Sequence, residues 1–262
     1  MKKEEVQSGL ESKLGTLGAL VDFQLQLEKA ITALKIRNTH LTKNGSVDPH
    51  TKELLLESIK FKREFLLKPV KRLLVTHPAY PWFSRVKGIG NENISKVITL
   101  IDIAKAPTIS SLWKYAGFSV IEGKANRPQK GKKLDFNKEL KVMCWRVGVA
   151  LIKANHLSKN GTKFGRFFKK YLEEEKAKFE RDGKKVIPTK DWKKIAKNPE
   201  SSEDFRSEYY VQNRAFRRMI KLFLGCLWLF WRKAEGLAIR DPYPIEKMGH
   251  TTLIKPEEMI DR

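Results

Sequence analysis

The stretch Phe205–Glu235, FRSEYYVQNRAFRRMIKLFLGCLWLFWRKAE, decides the fold class. Phe216, Ile220, Phe223, Leu227 and Phe230 follow one another at alternating steps of four and three. That is the spacing of one helix face, not the two-residue alternation of a half-buried strand. From Met219 to Trp231 the run is apolar nearly all round, which predicts a helix surrounded by core. The run has 13 residues and contains Lys221, short of the roughly 20 residues that span a bilayer. A membrane is therefore not an expected partner.

The rest of the chain carries the same period. Leu140, Met143, Val147 and Leu151 make one stripe within Phe136–Leu157, and Phe164–Phe179 reads as a charged amphipathic helix. Lys184–Ser202 is a polar connection with a short piece at Asp191-Trp192. Pro107-Thr108 starts a short helix through Leu112, Trp113 and Tyr115 that Gly117 ends. Asn91–Ala104 is another helical run. At the N-terminus Leu10, Leu14, Leu17, Val21, Leu25, Ile31 and Leu34 mark a long helix with a slip after Leu25; Gly15 and Gly18 weaken its start. Asp48 or Thr51 caps a second helix with Leu55, Ile59, Leu66, Val70 and Leu73 on its apolar face. No strand alternation stands out.

The expectation is an all-α chain in three parts. Residues 1–76 form a long helical pair, coiled-coil-like, either a hairpin within one chain or the seam of a homodimer. Residues 77–240 form a helical domain, and 241–262 an irregular, proline-bearing tail that wraps it.

The charge is the main clue to function. The 262 residues include 53 Lys and Arg against 30 Asp and Glu, a formal charge of +23, with 41% hydrophobic residues. Such an excess on a chain able to build a core points to a polyanionic partner, with DNA first and RNA next. Two cysteines, Cys144 and Cys226, make neither a disulfide framework nor a thiolate metal site. The opening MKKEEVQSGL has no apolar signal core. A cytoplasmic, nucleoid-associated protein is expected.

Phe83-Ser-Arg-Val-Lys-Gly-Ile-Gly90, followed by Ile94, Val97 and Ile98, has the pattern of a helix-hairpin-helix element. Its glycines let backbone N–H groups approach a phosphate, and the next helix adds its positive dipole end. Lys87, Gly88, Ile89, Gly90 and Lys96 are the candidate contacts there. Basic clusters add Lys124, Arg127, Lys130, Lys132 and Lys133 in one Gly/Pro-rich loop, and Arg214, Arg217, Arg218 and Lys221 on the long helix. Arg166, Lys169 and Lys170 make a third. Residues 124–218 hold 27 Lys and Arg against 12 Asp and Glu, whereas 241–262 hold three against five. Contacts of this kind hold the sugar-phosphate backbone and carry no sequence information.

Catalytic patterns are thin. His40, His50, His77, His156 and His250 have no metal-ligand spacing, and no P-loop, nucleophile elbow or dinucleotide fingerprint occurs. Glu173-Glu174-Glu175 reads as a salt-bridged helix face and the cysteines as core thiols. No catalytic residue, metal ligand or cofactor is assigned.

The order Val86-Lys-Gly-Ile-Gly90, Ile101-Asp-Ile-Ala104, Leu112-Trp-Lys-Tyr-Ala-Gly-Phe118 and Asn137-Lys-Glu-Leu-Lys141 resembles the C-terminal domain of insertion-sequence transposases of the 110/116/902 group. The resemblance covers about residues 80 to 160. It implies DNA transposition or recombination, a RuvC-like domain with acidic metal ligands, a serine that attacks DNA, and in some members an RNA guide. Here the first 75 residues read as helices instead of a RuvC-like domain, and Glu122-Gly123 stands where the family carries Ser-Gly; Ser119 comes earlier. The expectation is thus a DNA-binding relative that lacks the catalytic domain. The alternatives are a transposase component completed by a RuvC-like partner protein, or an RNA-binding scaffold.

Overall fold

The computed structural model describes residues 2–46, 48–121, 123–128, 130–196, 203–240 and 254–261, with side chains from residue 15 onward except those of residues 121 and 124. Glu122, His250 and most of the tail read above from the sequence lie outside the described residues. The fold is all-helical with a long N-terminal helix. The chain separates into two compact units: residues 1–80 with 90–101, and residues 81–89 with 102–262.

In the first unit α1 (Lys2–Lys43) is followed by α2 (Pro49–Phe61), a π-helical turn (Lys62–Leu66) and α3 (Leu67–Val75). Asp48 caps α2 by accepting from the His50 N–H, with Pro49 at the first helical position. The π turn has a sequence cause. Pro69 brings no N–H to the carbonyl four residues back, and its ring crowds that carbonyl, so the helix loosens by one residue just before it. α5 (Asn91–Thr99) completes the unit and packs on α1 and α3. It ends five residues earlier than the helical run to Ala104 suggested.

The slip in the α1 pattern is a buried polar network. Leu17, Val21, Gln24 and Ile31 are buried, and Glu28 continues their stripe. Lys96, 1% exposed, places its ammonium 2.7 and 2.8 Å from the two Glu28 oxygens. Gln24 donates to Glu28 at 3.0 Å, and Lys62 reaches the same carboxylate at 2.7 Å. Burial alone would raise the Glu28 pKa, but hydrogen bonds from Lys62, Lys96 and Gln24 hold it down at about 2.

In the second unit α6 (Ile109–Tyr115), α7 (Lys138–Leu157), α8 (Lys163–Arg181) and α10 (Glu208–Ala234) form the body, with α9 (Thr189–Ile195) beside them. α10 packs along α8 and against α6 and α7. Phe216, Ile220, Phe223 and Leu227 are buried as the period requires, whereas Phe230 is only half buried. All four stripe residues of α7 are buried. The short α4 (Tyr80–Phe83) lies where the chain passes between the units.

Two small ladders were not expected. β1 (Val120–Ile121) pairs antiparallel with β2 (Lys124–Ala125), and β3 (Lys185–Ile187) pairs parallel with β4 (Phe205–Ser207). Phe205 therefore opens a strand, and the long helix starts at Glu208, capped by the Ser207 side chain. Strands of two and three residues are too short for an alternation to show. Among the described residues no helix is long and apolar enough to cross a membrane.

Candidate anion-binding face

The face is built around the end of α6. Gly117, at φ +72°, closes that helix: its N–H donates to the Lys114 carbonyl at 2.9 Å and the Phe118 N–H to the Trp113 carbonyl at 2.8 Å. This paired arrangement is the Schellman end that glycine favours. A Cβ at Gly117 would lie 2.7 Å from Phe136 and 2.9 Å from the Lys141 stem. The glycine thus turns the chain and lets both side chains close in.

Three cations lie on aromatic rings here. The Arg217 guanidinium stands 5.4 Å from the centre of the buried Phe118 ring, Lys141 Nζ 4.2 Å from Phe136, and Lys221 Nζ 4.1 Å from Trp113. These distances suit cation–π attraction. Asn137 caps α7 and so fixes Lys141 one turn along, where its ammonium donates to the Asn126 carbonyl at 2.9 Å. Trp113 is held by its indole N–H, which donates to the Lys221 carbonyl at 3.0 Å.

The charges of Lys141, Arg217 and Lys221 have no ion-pair partner among the described residues, and Arg217 Nη2 is buried without a hydrogen-bond partner among them. Burial pushes the pKa of each down. Arg127 then adds repulsion at Arg217; Arg217 and Arg127 do so at Lys141, with Asp135 pulling back; Arg217 and Arg218 do so at Lys221. All of these groups belong to the second unit.

The other residues singled out from the sequence fall into different settings. Arg214 is paired with the buried Glu175, and Arg218 with Glu174 at 2.6 Å and Glu175 at 3.3 Å, so both are largely neutralised. Arg127, Lys130, Lys132 and Lys133 are exposed; Lys124 lies in β2, its side chain outside those described. Lys96 has its ammonium enclosed with Glu28, which leaves nothing of it at the surface for a phosphate.

The glycine hairpin divides between the units. Lys87, Gly88 and Ile89 belong to the second, Gly90 to the first. Gly88 has φ +97°, and a Cβ there would come within 2.9 Å of the Ala150 carbonyl and the Ala154 methyl on α7. Packing alone thus requires this glycine. Gly90 has an ordinary φ of −93°, open space around it and exposure to solvent, and it precedes α5 without a side-chain cap.

Lys141 is absent from the contacts expected from sequence, whereas Lys221 closes the basic cluster read on the long helix. Lys141 ends the Asn137–Lys141 motif quoted above, and Lys221 stands one turn after Arg217. The ring under Lys141, Phe136, is only five residues back, whereas Trp113 under Lys221 is distant in sequence. Cys144 and Cys226 are buried, and burial pushes both thiols upward, away from reactivity. The Ser119 hydroxyl is buried without a hydrogen-bond partner among the described residues. No group of three or more His, Cys, Asp or Glu among the described residues is placed to hold a metal. Comparison of the chain with family models, curated proteins and solved structures finds no match.

Proposed function

We propose that the second unit is a nucleic-acid-binding module that holds the sugar-phosphate backbone of DNA on Arg127, Lys141, Arg217 and Lys221. The observation that carries this reading is a set of mutually repelling cations, the half-buried Lys141, Arg217 and Lys221 with the exposed Arg127 beside them, that form no ion pair with a carboxylate among the described residues. A fold built for stability alone gains little from such a set, because partly desolvated like charges raise its free energy. A phosphodiester among them would supply the missing counter-charge and accept from the Arg217 guanidinium. Backbone contacts of this kind bind without regard to sequence.

The resemblance to transposase C-terminal domains favours DNA and a role in transposition or recombination. On that reading the Lys87–Ile89 segment and the exposed lysines at 130, 132 and 133 extend the grip. A cationic surface alone accepts RNA as well, so DNA and RNA are compared side by side.

The test is a fluorescence-anisotropy titration of labelled duplex DNA and RNA between about 50 and about 300 mM salt. Affinity for DNA is expected to fall steeply with salt. Reversing the charge in Arg217→Glu or Lys141→Glu should weaken it by about tenfold or more, roughly 1.4 kcal/mol. Binding indifferent to salt, or unchanged in both variants, overturns the reading.

A further inference from the structure

The described end of the chain, residues 254–261, lies on the second unit and brings a carboxylate to the glycine hairpin. Asp261 Oδ2 accepts from the Lys87 N–H at 2.9 Å, and its Oδ1 accepts from the Lys163 N–H at 2.8 Å. Lys163 is the first residue of α8, a 19-residue helix whose positive end adds to the attraction. The Asp261 N–H donates to the Arg85 carbonyl at 3.1 Å. Further back, the Trp82 indole donates to the Pro256 carbonyl at 2.8 Å, and Pro256 and Met259 are buried. The segment is therefore anchored by apolar contacts and presents one carboxylate to two backbone donors from separate parts of the chain.

We propose that residues 254–261 form an acidic strap whose Asp261 occupies a backbone-phosphate contact point, and that a nucleic-acid strand displaces it. The chemistry of the two ligands matches. A carboxylate and a phosphodiester each carry one negative charge and two oxygens that can accept from a pair of N–H groups. Arg85, Lys87, Lys163 and Arg166 flank the donors in sequence and favour either anion. The strap carries Glu257, Glu258 and Asp261 against Lys255, so it acts as a weak internal competitor for a polyanion. Binding is then a substitution of one anion for another at this point, while the aromatic-backed cations of α7 and α10 take phosphates without competition.

This inference rests on the nucleic-acid reading. The experiment measures duplex affinity of the full chain and of Asp261→Asn at one salt concentration, with hydrogen exchange of the wild-type C-terminal peptide with and without saturating duplex. Asp261→Asn is expected to bind about threefold to tenfold more tightly, and the wild-type peptide to lose protection when duplex is added. Should the wild type bind while the variant binds no better and the peptide stays protected, the strap is overturned and the binding module stands. Should neither chain bind DNA or RNA, the module itself falls and the strap with it. The exchange measurement needs no variant, so a poorly folded Asp261→Asn leaves the question decidable.

Discussion

A guanidinium that is half buried beside other cations, as Arg217 is, raises the free energy of the folded chain unless something answers its charge. Phe118 supplies part of that through its ring face, but no carboxylate pairs with it among the described residues. Fold and ligand therefore make opposite demands on this position. Arg217→Met, which keeps the stem and removes the charge, should raise the melting temperature of the free protein while weakening duplex binding by about tenfold. Calorimetry and anisotropy on the same preparation check both halves; a fall in both quantities would assign Arg217 to the fold. Gly117 is the converse case, where fold and site agree. Any side chain there meets both a positive φ and the Phe136–Lys141 contact, so Gly117→Ala should cost about 1–3 kcal/mol in urea unfolding. The glycine is legible in sequence as a helix stop, but its second role, admitting Lys141 to Phe136, depends on residues about twenty positions away.

At the scale of elements, what the sequence reveals is what repeats. The stripes of α7 and α10 show because each apolar residue has a neighbour one turn away. α1 shows as a helix, but the interruption in its pattern cannot be interpreted without Lys62 and Lys96, which lie 34 and 68 residues from Glu28. For the same reason Lys96 reads as a phosphate contact in sequence and proves to be the internal partner of Glu28. The network gives the first unit a defined acid response, shared with His77. The His77 imidazole is buried, its Nδ1 accepts the Ala79 N–H at 3.1 Å, and burial pushes its pKa from 6.5 to about 4. Between these values the unfolded chain binds the proton and the folded chain does not, so stability falls as pH falls through that window, by up to about 3 kcal/mol. Glu28 acts lower down. Its stabilisation is complete above 4.5, the ordinary glutamate value, and is lost as pH falls towards about 2. His77→Asn retains an acceptor without the titration. It should abolish the loss between pH 6.5 and 4 in denaturant midpoints while leaving the lower one; an unchanged profile would exclude His77 as the source.

For the whole molecule, the +23 charge divides unevenly. The first unit holds 15 Lys and Arg against 10 Asp and Glu, the second 38 against 20. In the first, Lys62 and Lys96 are committed to internal carboxylates. In the second, the excess includes the aromatic-backed group, which has no ion-pair partner among the described residues, and the exposed 130–133 lysines. A polyanion binds where counterions are released and where charge is not already answered, so its footprint should follow this division rather than spread over a uniformly basic surface. Hydrogen exchange of the full chain with duplex DNA at about 100 mM salt tests that. Peptides covering residues 113–141 and 211–221 should gain protection, and peptides covering residues 15–75 should remain unchanged. Protection confined to 15–75 would move the interface to the helical pair, where Glu28 and its lysines already answer one another, and would remove the physical argument for Arg217. Protection in both regions at low salt, with only the 15–75 portion lost as salt rises to about 200 mM, would separate a diffuse counterion effect from the interface proposed on α7 and α10.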